Sequence, residues 1–162
     1  MPPTRTRERC STPTGTALAT SAHRTWYVDS SVLLRAIVDS SRAASAWFEA
    51  VVANGDRLVA SRLLEVEVRR AVRTIGGDQD VVTEYLDEFV LIHIPDDLLD
   101  EAVATEQRLG GADSIHVATA LRVGTRTITV ATHGKQMATA ALALGFDVTD
   151  PVTDDPRRGP VA

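Results

Sequence analysis

The sequence predicts an α/β fold with a central parallel sheet of about five short strands and helices on both faces. Short apolar segments alternate with longer segments of helical periodicity, and glycine or Asn-Gly breaks separate many of them. With 162 residues, 44 % of them hydrophobic, the chain is long enough to form one core without disulfides. A single domain is therefore expected.

The elements follow from periodicity and from capping residues, in chain order. Strands are predicted at 26–28, 57–60, 90–94, 127–131 and 146–148. Helices are predicted after Ser30 and Ser31, over 42–53, after Ser61, from Asp78 or Asp80 through 89, and over 96–109, 113–123 and 135–144. Gly145 is predicted to be the C′ residue of the last helix.

The two ends differ in composition from the rest. Residues 1–24 are rich in Thr, Ser, Pro and Arg and show no apolar period, which predicts a disordered N-terminal arm. Residues 151–162 are predicted to be a flexible C-terminal tail, and Asp147 and Asp150 are expected at the surface. The domain is therefore expected to span residues 25–150.

Composition also restricts the class of protein. The chain has one cysteine and no apolar stretch of the roughly 18 residues that a membrane span needs, so a cytoplasmic protein without membrane contact is expected. The first 25 residues lack the apolar region of a secretory signal. A net charge of −5 argues against a broad basic nucleic-acid surface, but it allows an enzyme whose acidic groups surround a metal.

The stretch from Leu109 to Leu121 combines a charge with a buried helix. Two glycines precede Asp113, and the following residues are apolar on nearly every face, as in a helix at the centre of a domain. Asp113 has two interpretations. It can be the N-cap of this helix, or it can belong to a metal site, because a carboxylate near the core is costly unless it is paired.

Two further acidic positions follow predicted strands. Asp29 ends the first strand, and either Glu65 or Glu67 lies on the helix after the second strand. Helical angles alone leave both glutamates open, since they border the apolar stripe on opposite sides. Converging carboxylates are best explained by a divalent cation such as Mg²⁺ or Mn²⁺, which positions water for attack on a phosphate ester.

Four stretches resemble the PIN-domain family and, within it, the VapC-type toxins of toxin–antitoxin pairs. They are residues 27–34 (YVDSSVLL), 61–71 (SRLLEVEVRRA), 113–121 (DSIHVATAL) and 132–137 (THGKQM), and the resemblance covers about residues 26–148. It implies a PIN-like three-layer sandwich and a metal-dependent endoribonuclease. It further implies a cognate antitoxin, an RNA substrate and a homodimer.

Carried over by position, the resemblance assigns the catalytic and metal-binding carboxylates to Asp29, Glu67 and Asp113. Glu67 is preferred to Glu65 because the family's acid lies six residues after the serine. Ser30 is implied as a hydroxyl beside Asp29, and Thr132 as a polar group at the end of the fourth strand. Ser61 ends the second predicted strand at the same edge of the sheet, and it can equally be only a helix cap.

The last motif departs from the family, which usually carries a fourth aspartate where this chain has Gly134. Three explanations remain: three carboxylates and one metal suffice, His133 replaces the missing ligand, or catalysis was lost by drift or deliberate substitution. His133 can also simply occupy the place of the family's aromatic residue. His116 is expected to be packed and hydrogen-bonded rather than catalytic.

Two rival functions follow. A catalytically impaired PIN domain would bind RNA or antitoxin without cleaving, and Gly134 supports this alternative. A phosphate-handling receiver or phosphatase domain would need a second acid near Asp29, which the following Ser30 and Ser31 do not supply.

Overall fold

The computed structural model describes residues 23–155. The predicted N-terminal arm lies outside the described residues except for His23 and Arg24, and the predicted C-terminal tail is described only to residue 155. Within this range the strands are β1 (Thr25–Val28), β2 (Arg57–Ser61), β3 (Phe89–Ile92), β4 (Thr129–Ala131) and β5 (Asp147–Thr149). The helices are α1 (Ser30–Ile37), α2 (Arg42–Ala53), α3 (Leu63–Thr74), α4 (Gln79–Leu86), α5 (Asp96–Val103), α6 (Gly111–Val123) and α7 (Lys135–Ala143).

The strands form one parallel sheet in the order β3-β2-β1-β4-β5. The chain moves from β1 outward to β3 and then returns to the other side of β1 with β4. The strand order therefore reverses between β1 and β4. In open parallel sheets, sites form at the carboxyl ends of the strands at such a reversal.

The two faces of the sheet pack against different helices, as the alternation of side chains in a strand requires. Tyr27 of β1 packs with Val117 of α6 and Met137 of α7. Its neighbours in β1, Trp26 and Val28, point to the opposite face, where α1 and α2 cover them. The predicted three-layer arrangement is confirmed.

Several predicted boundaries were wrong. Helix α5 ends at Val103 instead of continuing to 109, because its buried positions Leu98 and Ala102 are followed at helical spacing by the polar Thr105 and Glu106. Phe89 belongs to β3, paired with Leu58 of β2, and not to the preceding helix. Gly145 has a φ of +87° directly after α7, as predicted for its C′ position.

Asp113 is not the N-cap of α6. Gly110 holds that position, and Asp113 lies in the first turn of the helix. The carboxylate is still at the end where the helix dipole favours negative charge. Helix α6 itself is buried along His116–Ala120, as its apolar sequence predicted.

The segment after β5 contacts the domain. Val152 is buried with Ala36 and Ala44, and the Asp154 carboxylate accepts hydrogen bonds from the Ser41 hydroxyl and the Ala43 backbone at the start of α2. The domain boundary at residue 150 stays a prediction. No helix within residues 23–155 has the length and apolar character needed to cross a membrane.

Truncating the buried Leu64 tests the core beside the site. Leu64 of α3 is 0 % exposed, so Leu64→Ala should lower the free energy of unfolding by about 2–5 kcal/mol through lost burial and a cavity. Leu142 of α7 is 60 % exposed, and Leu142→Ala should change it by less than about 0.5 kcal/mol. Urea unfolding measures both variants, and equal effects would contradict the packing described here.

Candidate active site

Asp29 is the buried centre of a polar cluster at the reversal between β1 and β4. It directly follows β1, and its backbone N–H donates to the Ala131 carbonyl at 2.9 Å, which continues the β1–β4 pairing. The residue is 4 % exposed. Although Asp29 is the N-cap residue of α1, its side chain makes no capping hydrogen bond and instead faces the neighbouring strand ends.

Two hydroxyl groups hold the Asp29 carboxylate. Ser31 Oγ and Thr132 Oγ1 donate to Oδ2 at 2.6 and 2.7 Å. Both donors therefore meet one oxygen. The other oxygen, Oδ1, lies 3.9 Å from His116 Nε2, beyond hydrogen-bond distance. Thr132 lies at the end of β4 as predicted, but the hydroxyl beside Asp29 belongs to Ser31 and not to Ser30.

Glu67 enters the same cluster from α3. Its Oε2 lies 2.9 Å from His116 Nε2, and the Ser30 hydroxyl also interacts with it. Burial raises the pKa of Glu67, but the hydrogen bond and positive charge of His116 outweigh burial, so the net pKa is lowered. The Ser30 hydroxyl acts in the same direction. The ionised form of Glu67 is thus favoured.

Glu65, the other candidate, turns away from the cluster. Its carboxylate accepts a hydrogen bond from Arg69 Nε at 3.0 Å and lies 3.4 Å from Arg62 Nη2. Helical angles alone left Glu65 and Glu67 open. In the structure, Glu67 is the glutamate on the side of Asp29, because both lie near His116 Nε2. Ser61 resembles a cap, since its Oγ accepts from the Leu63 N–H at 3.2 Å.

Asp113 approaches from α6. Its pKa is raised, first by burial and then by the negative charge of Asp29, with a smaller contribution from Glu67, while His116 opposes the shift. Asp29, Glu67 and Asp113 thus interact electrostatically at one edge of the sheet. The sequence predicted these three residues, and the structure brings Asp113 within electrostatic range of Asp29 and Glu67; their catalytic and metal-binding roles stay predictions.

The donor set fits a divalent cation. Carboxylate oxygens are the ligands that Mg²⁺ and Mn²⁺ prefer. Burial, followed by the negative charge of Asp29, raises the pKa of Asp113, and a bound cation would neutralise that negative charge. The carboxylates are not closed into a finished coordination shell, because no group of three His, Cys, Asp or Glu side chains among residues 23–155 lies at metal-holding distances.

His133 is directed away from Asp29. Its Nδ1 lies 3.1 Å from Asp150 Oδ2, and its Nε2 lies 2.9 Å from Asp155 Oδ2. Both ring nitrogens are therefore engaged, and neither is available to a cation at Asp29. Asp150 is consequently a partly buried partner of His133 and not the surface residue that was expected.

Gly134 occupies the place of the usual fourth acid without any conformational need for glycine. Its φ and ψ are −79° and 117°, which any L-residue adopts. A Cβ there would lie 3.4 Å from Thr132 Oγ1 and 3.8 Å from Asp29 Oδ2, both ordinary contacts. The fold would accept a side chain at this position beside Asp29.

Sequence reasoning missed three contributors. Tyr27 looked like an ordinary apolar strand residue, yet its hydroxyl contacts His116 Nδ1 at 3.1 Å. Ser31 is predicted as a capping residue, yet its hydroxyl donates to Asp29. Asp155 lay in the predicted tail. The only available signal was the serine pair after Asp29, in which either hydroxyl could have been the donor.

A three-layer parallel domain with three interacting carboxylates at its switch point defines a class of α/β proteins with an acidic site. The model of the PIN domain family matches residues 26–141, and the chain belongs to this family. PIN domains are generally nucleases that depend on divalent metal ions. No curated protein sequence matches the chain.

Solved structures agree on the fold. The chain is similar to VapBC2 of Rickettsia felis, bound to a promoter DNA fragment, with a TM-score of 0.60 and 11 % identity over 78 % of this chain and 98 % of that one. A toxin–antitoxin complex from Klebsiella pneumoniae is similar with a TM-score of 0.59 and 23 % identity, covering 77 % of this chain and 96 % of that one. FitAB bound to a DNA fragment is similar with a TM-score of 0.54 and 17 % identity, covering 82 % of this chain and 99 % of that one.

Asp113→Asn shows, by the sign of its effect on stability, whether the charge of Asp113 is unfavourable in the folded chain. An acid whose pKa is raised by folding penalises the folded state above that pKa, and the penalty disappears as the pH falls through it. At pH 7 in EDTA, Asp113→Asn should therefore raise the free energy of unfolding, by about 1 kcal/mol or less because the group is partly exposed.

The matched control is Asp147→Asn, at an exposed residue of β5, which should leave stability unchanged. Thermal or urea unfolding measures both variants. A loss of stability in Asp113→Asn would mean that the favourable charge at the start of α6 outweighs repulsion within the cluster.

Proposed function

We propose that the chain is a metal-dependent endoribonuclease that acts as the toxin of a toxin–antitoxin pair. The observation that carries the proposal is the convergence of Asp29, Glu67 and Asp113 at the β1–β4 reversal of a PIN domain. Mg²⁺ or Mn²⁺ is the proposed cofactor, and RNA is the proposed substrate. The toxin–antitoxin neighbours support a cognate antitoxin as partner, and a homodimer is proposed from the family resemblance.

Each carboxylate has a separable task in this proposal. Asp29, fixed by Ser31 and Thr132 through Oδ2, presents Oδ1 toward the cluster. Glu67 stays ionised because His116 stabilises its charge, and Asp113 provides negative charge from the opposite helix. When bound, a divalent cation supplies positive charge to the phosphodiester and makes water a better nucleophile at neutral pH.

Two exposed cationic side chains, Arg108 and Lys135, support a polyanionic substrate. Lys135 directly follows Gly134, whose Cβ position is 3.8 Å from Asp29 Oδ2. Arg108 and Lys135 line a groove of about 370 Å³ together with Thr139. Both are exposed on a chain of net charge −5, so this groove is a local cationic surface that a phosphate backbone can contact.

The two glutamates of α3 provide the sharpest test of the catalytic assignment. Glu67→Gln should reduce cleavage of RNA in Mg²⁺ or Mn²⁺ by about 100-fold or more, because it removes a ligand charge at nearly constant size. Glu65→Gln changes the same residue type two positions away, where the carboxylate pairs with Arg69, and should retain wild-type activity. Gel analysis of cleaved RNA measures both, and full activity in Glu67→Gln would refute the triad.

Gly134 supports the second candidate, a PIN domain that binds RNA or antitoxin without cutting. Under the main proposal the wild-type chain cleaves RNA, and Gly134→Asp cleaves at least as fast because it adds a carboxylate beside Asp29. Gly134→Asn is the matched control. Asparagine caps the start of α7 as well as aspartate does but adds no charge.

The same cleavage assay decides between the two candidates. Cleavage by the wild type supports a site of three carboxylates. Cleavage by Gly134→Asp alone, with wild type and Gly134→Asn inactive, would contradict the nuclease proposal for the wild-type chain and favour the binding candidate.

A further inference from the structure

A buried chain of hydrogen bonds lies behind the acidic cluster and includes two residues that the proposed reaction does not use. His116 of α6 is 1 % exposed, and Tyr27 of β1 is 0 % exposed. His116 contacts Glu67 Oε2 through Nε2 at 2.9 Å and the Tyr27 hydroxyl through Nδ1 at 3.1 Å. The Tyr27 hydroxyl also accepts from the Ser61 N–H at 3.2 Å. The chain therefore links β1, β2, α3 and α6.

The direction of the first hydrogen bond follows from chemistry. An ionised carboxylate only accepts hydrogen bonds, so Nε2 of His116 carries the proton that it donates to Glu67. A phenol both donates and accepts, so Tyr27 satisfies Nδ1 in either protonation state of the ring. Both ring nitrogens are thus bonded, which fixes the orientation of the imidazole at this buried position.

Glu67 depends on such an anchor more than Asp29 does. Its side chain is 27 % exposed and starts from a helix surface, whereas the Asp29 side chain is 5 % exposed and is held by two hydroxyls. Without the His116 donor, Glu67 keeps only the Ser30 hydroxyl as a side-chain hydrogen-bond donor, and repulsion by Asp113 favours rotamers that turn Glu67 toward solvent. Ordering a free glutamate at the moment of binding would also cost side-chain entropy.

We propose that His116 is a positioning residue, which holds the Glu67 carboxylate toward Asp29 through Nε2 while Tyr27 fixes the imidazole through Nδ1. The proposal rests on the proposed function in one respect, namely that Glu67 contributes to a cation site. Neither His116 nor Tyr27 touches the cation or the RNA. Their effect on binding is carried entirely by the position of Glu67.

Mn²⁺ binding to the full chain, measured by calorimetry in the absence of RNA, tests the proposal. His116→Leu keeps an apolar group of similar size but removes the donor, and it should weaken Mn²⁺ binding about 10-fold or more. His116→Gln places an amide donor near the former Nε2 and should bind within about 3-fold of wild type. Equal Mn²⁺ affinity in His116→Leu and wild type would overturn the proposal, as would equally weak binding in the two variants.

Tyr27→Phe provides a second variant if His116→Leu fails to fold. It keeps the buried ring and removes only the hydroxyl, so the imidazole loses its Nδ1 partner while Glu67 keeps its donor. Mn²⁺ binding should weaken, by less than in His116→Leu. Circular dichroism confirms folding, and a folded Tyr27→Phe protein with wild-type affinity would show that Tyr27 has no positioning role.

A readout without metal separates this inference from the proposed function. In EDTA, nitrogen NMR of the His116 ring should show a protonated Nε2 whose signal changes in Glu67→Gln but not in Glu65→Gln. If the Nε2 signal of His116 is the same in Glu67→Gln as in wild type, the inference is overturned, whatever the RNA assay shows. A signal that responds, in a protein that binds Mn²⁺ but cleaves no RNA, supports the inference and counts against the nuclease function alone.

Discussion

The burial of Asp29 between β1 and β4 is the constraint on which the rest of the site depends. A carboxylate that is 4 % exposed is tolerated only if its oxygens are satisfied or its charge is neutralised. Ser31 and Thr132 satisfy one oxygen, and each residue comes from a segment that follows one of the two strands. The pairing of β1 with β4, closed by the Asp29 N–H and the Ala131 carbonyl, brings these donors together. The pairing of β1 with β4 therefore determines both the sheet topology and the hydrogen bonds of Asp29.

The three carboxylates differ electrostatically because their surroundings differ. His116 compensates Glu67 and lowers its pKa, whereas burial and the charge of Asp29 raise the pKa of Asp113. One imidazole thus stabilises part of a cluster that carries more negative charge than it can balance. Such an imbalance destabilises a structural site but is useful where a cation must bind. The arrangement favours a functional explanation over a purely structural one.

The fold, Asp29 and Asp113 were predictable because each left a signal in the local sequence. Alternating apolar segments predicted the parallel sheet, and a strand followed at once by Asp29 predicted an acid at its carboxyl edge. The choice between Glu65 and Glu67 required the resemblance, because both border the same apolar stripe. What distinguishes them physically is the pairing with Arg69 or His116, which depends on tertiary contacts.

Most of the contacts that sequence reasoning missed are long-range, and the bond from Ser31 to Asp29 is the local exception. Tyr27 and His116 lie 89 positions apart, so neither Tyr27's apolar setting nor its spacing reveals its polar contact. Ser30 and Ser31 are adjacent, and only the start of α1 decides which hydroxyl meets Asp29. Asp150 seemed exposed because no local pattern shows that His133 lies against it.

Hydrogen bonds hold the loop that lacks the fourth acid. Asp150 and Asp155 hold the His133 ring, while the His133 N–H donates to Ser31 Oγ at 3.0 Å and the Gly134 N–H donates to Thr132 Oγ1 at 3.0 Å. Ser31 and Thr132 are the two hydroxyls that hold Asp29. The loop therefore supports Asp29 from its backbone, and this support does not depend on the side chain at position 134. A missing carboxylate at Gly134 removes one charge from the cluster but leaves Asp29, Glu67 and Asp113 in place, which is why a site of three acids is the stronger interpretation.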